Sequence, residues 1–336
     1  MNRRKTVSGI LCALGMCLLI LDAKTALDGA SNGIRLCVQS LIPSLFPFFV
    51  LSAMLVSSLS GGWLLRRLSR LCGMPAGSEG ILLVGLLGGY PMGAQCVAQQ
   101  IRSGVVTKED GQRMLGFCNN AGPAFLFGVV AGLFSRKATV FALWIIQILA
   151  ALAAGILLPG KSTASSSPVP PSPLSLSEAL RKSVASMAVV CGWVILFRVI
   201  LAFLDRWILW LFPEALRVSI IGLLELTNGC YALRAIPSEA LRFLLANLFV
   251  CFGGLCVSMQ TAAVTSSENL SLKQYFLGKA VSCMVSLLLS CAWIFLWQGI
   301  QPVRILLPLA ALFALILCFS LKKSKNGSGN PGSHGV

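Results

Sequence analysis

Apolar runs of about 20 residues follow one another along most of this chain, and a run of that length matches the hydrocarbon thickness of a bilayer. In hydrocarbon the backbone must satisfy its own hydrogen bonds, so such runs fold as spanning helices. Hydrophobic residues make up 56% of the sequence and charged ones 11%, with a mean hydropathy of +0.84. A soluble domain carries about 25% charged residues. The net charge is +16, but the basic residues stand in short clusters at the ends of apolar segments: Arg3-Arg4-Lys5, Arg66-Arg67, Arg136-Lys137, Arg181-Lys182 and Lys322-Lys323. That is topogenic charge beside membrane spans. It argues against nucleic acid as a partner and for a lipid bilayer.

Read in order, the candidate spans are Val7–Leu21, Gly33–Leu59 with Pro43 and Pro47 in its middle, Met114–Phe134, Ala138–Leu158, Ser183–Leu204, Leu241–Val264, Tyr275–Trp297 and Val303–Leu321. Arg3-Arg4-Lys5 before Val7–Leu21 has the outline of a secretory signal. The membranous chain that follows favours an uncleaved first span. Two further apolar segments, Ile81–Gln100 and Val218–Ala235, are interrupted. Serines and Pro168, Pro170, Pro171 and Pro173 mark a flexible linker over 160–177. The expected organisation is a span and loop over 1–32, a first membrane repeat over 33–159, this linker, a second repeat over 178–321, and a disordered basic, glycine-rich tail over 322–336.

The interruption Leu87-Gly88-Gly89-Tyr90-Pro91-Met92-Gly93-Ala94-Gln95 is a poor interior for a continuous helix, because glycine loosens the backbone and proline removes a donor. At membrane depth a broken backbone survives only where protein or a water-filled cavity satisfies it, as in transporters built on discontinuous helices. Leu223-Leu224-Glu225-Leu226-Thr227-Asn228-Gly229 occupies the matching place in the second half. If both interrupted segments are re-entrant, the basic loops fall on one side as the positive-inside rule prefers, and the halves have opposite orientation. The expected fold is an all-α polytopic membrane protein of two inverted repeats, with about eight full spans plus two re-entrant segments.

Of the eleven acidic residues only Glu225 lies well inside an apolar segment, and an intramembrane carboxylate is by default a functional hypothesis. With Thr227 and Asn228 it forms a coordinating pocket for substrate or for a coupling ion, H+ or Na+; alternatively it pairs with Arg198 or caps a half-helix. Asn119 and Asn120 precede Gly122 and Pro123, where a helix would start, so they either cap it or help its N-terminus hold an anion. Gln260 either contacts a ligand across a cavity or ties two helices together. Gly253-Gly254 is a close-packing contact. Tyr90 stacks on an aromatic substrate or anchors the break through its hydroxyl, and Arg198 snorkels or faces an anion.

The 13 cysteines contain no C-x-x-C pair and the one histidine, His334, lies in the polar tail, so no metal or cofactor is expected. No Walker A motif, G-x-S-x-G elbow or H-E-x-x-H is present, and the chain does not read as an enzyme.

Four ordered blocks carry a family resemblance: Gly89-Tyr90-Pro91-Met92-Gly93-Ala94, Phe117-Cys118-Asn119-Asn120-Ala121-Gly122-Pro123, Leu224-Glu225-Leu226-Thr227-Asn228-Gly229, and Phe252-Gly253-Gly254 with Gln260. Over residues 35–300 the chain resembles the YlbJ-type sporulation integral membrane proteins, within the group carrying nucleoside-recognition Gate domains. It departs at Gln95, where that pattern often has a basic residue. The resemblance implies a protein of endospore formers that moves dipicolinate, a small aromatic dianion, across the outer forespore membrane. A membrane scaffold of a sporulation complex and a carrier of nucleosides or other solutes are the alternatives.

Overall fold

A computed structural model describes residues 3–58, 62–160 and 174–298, and among them every regular element is helical. The proposed linker (all but its ends), the candidate span Val303–Leu321 and the tail lie outside the described residues. The first part of the chain comprises α1 (Arg3–Leu21), α2 (Ala23–Leu36), α3 (Ile42–Ser58), α4 (Trp63–Leu71), α5 (Glu79–Leu87), α6 (Met92–Arg102), α7 (Lys108–Leu115), α8 (Pro123–Gly128) and α9 (Lys137–Leu157). The second comprises α10 (Leu176–Trp207), α11 (Glu214–Leu224), α12 (Leu226–Ala232), α13 (Glu239–Phe252), α14 (Gly254–Val264) and α15 (Lys273–Gln298).

Five of these stretches are long and apolar enough to cross a membrane: Ala23–Leu55, Lys137–Leu157, Leu176–Trp207, Glu239–Val264 and Lys273–Leu296. The chain folds as a helical membrane protein. Along α9 the division of faces is plain. Phe141, Ile145, Leu149 and Ile156 are exposed, as lipid-facing side chains would be, while Val140, Leu143, Gln147 and Ala150 are buried.

Three expected spans are drawn differently by the backbone. Gly33–Leu59 begins ten residues earlier, at Ala23, where Asp22 accepts from the Thr25 N–H at 3.3 Å and ends the preceding helix. α2 runs into α3 through a π-turn over Cys37–Leu41. Pro43 and Pro47 supply no N–H to the carbonyls four residues back, and the wider turn, with Ser44 Oγ donating to Ser40 O at 2.6 Å, takes up that loss. Met114–Phe134 is broken: α7 stops at Leu115, residues 118–122 are non-helical, and the α8 helix of Pro123–Gly128 is only one and a half turns long. Leu241–Val264 is broken at Gly253, which adopts φ +83. Apart from α1 and α4, which have no counterpart in the second part, both parts show the same order: a long helix, two helix–break–helix segments, and a second long helix.

α10 lies antiparallel along α2 and α3. Arg206 meets Asp22 at 2.9 Å, Gly29 and Gly33 press on Val199 and Ile195, and Cys37 Sγ donates to Cys191 O at 3.8 Å. Glycine on one helix lets the other approach backbone to backbone, the usual device where lipid gives no hydrophobic driving force. α15 packs along α9 and α13, and the broken segments gather beside these long helices.

Candidate functional site

The four breaks pack against one another in pairs. At the first, Gly85 on α5 and Gly93 on α6 both abut the Cys118 carbonyl, so α5 and α6 fold back around the non-helical segment 118–122. Gly89, at φ +83, sits against Gly122: a Cβ on Gly122 would lie 2.9 Å from Gly89 N and from Leu87 O. At the second pair, Gly229 of α12 rests on Gly222 of α11, and a Cβ on Gly254 would lie 3.2 Å from Leu224 O and from Leu226 N. The ring of Tyr90 then reaches Gly253, whose Cβ position is 3.0 Å from Tyr90 Cζ. Through that contact the two pairs meet.

At the meeting point lies a residue absent from the expected set. Lys279 of α15 is 1% exposed. Its Nζ donates to Tyr90 Oη at 2.9 Å, to Asn120 Oδ1 at 3.4 Å and to the Asn119 carbonyl. The ammonium also lies 4.8 Å from the centroid of the Tyr90 ring and 5.7 Å from that of Tyr275, within cation–π range. Among the described residues no carboxylate stands within ion-pairing distance of it. Three acceptors, all neutral, hold one buried cation.

Tyr90, Asn119 and Asn120 are brought together at Lys279, and neither asparagine caps α8. The N-cap of α8 is Gly122, with Pro123 in the first turn and no side-chain cap. Asn120 instead donates to Gly85 O at 3.1 Å and Phe117 O at 2.7 Å, tying α5 to the end of α7. Asn119 accepts from the Ala94 N–H at 3.4 Å and donates to Thr261 Oγ1 at 2.9 Å. Tyr90 donates toward Val250 O and Cys251 O, at 3.2 and 3.4 Å, in the last turn of α13. The Tyr90–Pro91 peptide is cis. Arg113, buried in α7, supports the same region by donating to Cys72, Gly73 and Gly155 carbonyls.

Glu225, Thr227 and Asn228 assemble at the other break. Glu225 is 2% exposed and makes no ion pair with Arg198 or with any described residue. It is the N-cap of α12: its oxygens accept from Thr227 N at 3.0 Å, Asn228 N at 2.7 Å and Asn228 Nδ2 at 2.6 Å. The alternative of a half-helix cap is what the geometry adopts. Glu225→Gln turns one accepting oxygen into a donor that faces N–H groups. It should cost about 1–2 kcal/mol, seen as a lower thermal midpoint in detergent; an unchanged midpoint would contradict the cap.

Gln260 is buried but donates to Cys256 Sγ at 3.3 Å on its own helix, while its neighbour Thr261 joins the Asn119 network. One residue along a helix is a rotation of about 100°. Gln95, the departure from the family pattern, accepts from Ser186 Oγ at 3.0 Å.

Lys279 carried a sequence signal. It is the fifth residue of the apolar span Tyr275–Trp297, and an ionisable group so placed is a functional hypothesis in its own right. The nearby Lys273 and Gln274 give it the look of an interfacial residue.

Fold and site define a multi-pass helical membrane protein whose broken helices enclose a polar, cationic centre. The chain is 23% identical over 308 residues to the sporulation integral membrane protein YlbJ of Bacillus subtilis, a match covering 78% of this chain and 76% of that one. It is thus related over most of its length to the YlbJ-type sporulation integral membrane proteins. No protein-family model matches the chain, and no solved structure does.

Proposed function

We propose that this chain carries a small organic anion across a membrane during sporulation, with dipicolinate across the outer forespore membrane as its substrate and step. The observation that carries the reading is the Lys279 ammonium, buried where both pairs of breaks meet and held only by neutral acceptors. A carboxylate arriving there would bring the first full negative charge, and charge-assisted hydrogen bonds are roughly twice as strong as neutral ones. Tyr90 and Tyr275 beside the ammonium offer faces to an aromatic dianion.

In this reading the recurring order of parts is a pair of inverted Gate-like repeats over 33–159 and 178–321, the folded-back pairs α5–α6 and α11–α12 are re-entrant, and the remaining crossings bring the count to about eight. Opening of one break pair at a time would give alternating access, with H+ or Na+ as the coupling ion and no catalytic step. The test is uptake of labelled dipicolinate, against labelled nucleoside, into vesicles holding this protein alone. Dipicolinate accumulation that Asn120→Ala reduces at least tenfold at equal abundance supports the proposal. Nucleoside uptake would instead favour the nucleoside carrier. No uptake of either, with loss of a partner's localisation in sporulating cells lacking the chain, would favour the scaffold.

A further inference from the structure

A cavity of about 370 Å³ opens between α2, α10, α11 and α12, a volume within the range of small-molecule sites. Its polar wall consists of Asn32, Arg198, Asp205, Arg217, Asn228 and Tyr231. The charges there are unequal. Within the wall Arg217 is answered by Asp205, donating to its Oδ1 through Nε at 3.0 Å and Nη2 at 2.7 Å; Glu214, 3.7 Å from Arg217, stands outside the wall. Arg198 makes no ion pair and no hydrogen bond with another described residue.

The base of Arg198 packs on α2: its Cβ lies 3.3 Å from the position a Cβ on Gly33 would take. It stands eight residues before Arg206, whose pairing with Asp22 marks the polar end of α10; that is about 12 Å deeper along the helix. A cation at such depth is costly unless water or an anion reaches it. Tyr231, held by Ser40 Oγ at 2.6 Å, makes a rigid wall, with the Arg234 guanidinium 4.7 Å over its ring. Asn228 belongs both to this wall and to the Glu225 cap, so the cavity reaches the broken-helix core. Toward the other end of α10, beside α3 and α6, a cavity of about 350 Å³ also carries a cation, Lys182, but there Glu178 pairs with it at 3.0 Å.

We propose that the Arg198 cavity is a water-filled vestibule that gathers small carboxylate anions from one membrane face and passes them to the break at Asn228. What the anion does next rests on the transport reading; the charge of the cavity does not. The test places a cysteine at Ala232, a small residue of the cavity wall, in the full chain in membrane vesicles. Modification at position 232 by an anionic (sulfonatoethyl) and a cationic (trimethylammonioethyl) methanethiosulfonate is followed by peptide mass spectrometry. Each rate is divided by that reagent's rate with a free thiol in solution. The normalised anionic-to-cationic ratio should exceed about 5, fall to about 1 when Arg198→Gln is added, and recover with Arg198→Lys. A ratio near 1 before Arg198 is changed, a ratio that Arg198→Gln leaves alone, or a position 232 inert to both reagents because lipid fills the space would each overturn the proposal. Vesicles that show the preference but take up no dipicolinate would sink the transport reading alone; uptake without the preference would sink the vestibule alone.

Discussion

Gly93→Ala should leave the protein unable to form its first break. The added Cβ would overlap the Cys118 carbonyl oxygen and lie 2.9 Å from that carbonyl's carbon and 3.0 Å from Asn119 Cα. All three are backbone atoms, so no rotamer change relieves the collision, and the cost should reach about 3 kcal/mol, the upper end for overpacking, or more. Displacing segment 118–122 would also pull the Asn119 carbonyl from Lys279 and the Asn119 side chain from Ala94 N and Thr261. The expected result is a large fall in the thermal midpoint and in monodisperse yield from detergent. Gly192→Ala is the control: this residue, within α10, has nothing within 4 Å of its Cβ position, and alanine there should be neutral or stabilise by about 1 kcal/mol. If the two variants behaved alike, the packing of one break on the other would be wrong.

That contrast also marks what could be read without coordinates. Gly88, Gly89, Pro91 and Gly93, Gly122 with Pro123, Glu225 to Gly229, and Gly253-Gly254 all announce breaks, because residues that cannot sustain a helix betray themselves locally. Which break touches which does not show in the string. Nothing local to Gly93 names Cys118 as its neighbour, 25 residues on, nor Tyr90 as the contact of Gly253. Met114–Phe134 reads as one span by hydropathy, which counts side chains and not the direction of the chain, although Gly122 and Pro123 lie within it; what the string does not show is that Asn119 and Asn120 hold other elements. The cap on α12 was legible in kind, since an acidic residue just before a short helix is good capping chemistry. Gln260 and Thr261 differ by one position, and that rotation decides which of them faces the network.

Lys279→Met should abolish dipicolinate uptake, by at least a hundredfold, while the chain still inserts and accumulates. Methionine keeps a long, flexible apolar stem of similar volume, so α15 can still pack on α9 and α13. The stability terms oppose each other. Tyr90 Oη, Asn119 O and Asn120 Oδ1 lose a donor, at about 1–3 kcal/mol for each acceptor left unsatisfied. Of these, Tyr90 keeps its own bonds to the end of α13, and the burial cost of an unpaired ammonium disappears, which offsets several kcal/mol. The midpoint should therefore move little in comparison with Gly93→Ala, and that separation is what distinguishes a site from a strut. A structural lysine would lose stability and uptake together; an anion-binding lysine loses uptake alone. Uptake within a few-fold of the unaltered protein would remove Lys279 from the proposed pathway, whatever became of the fold.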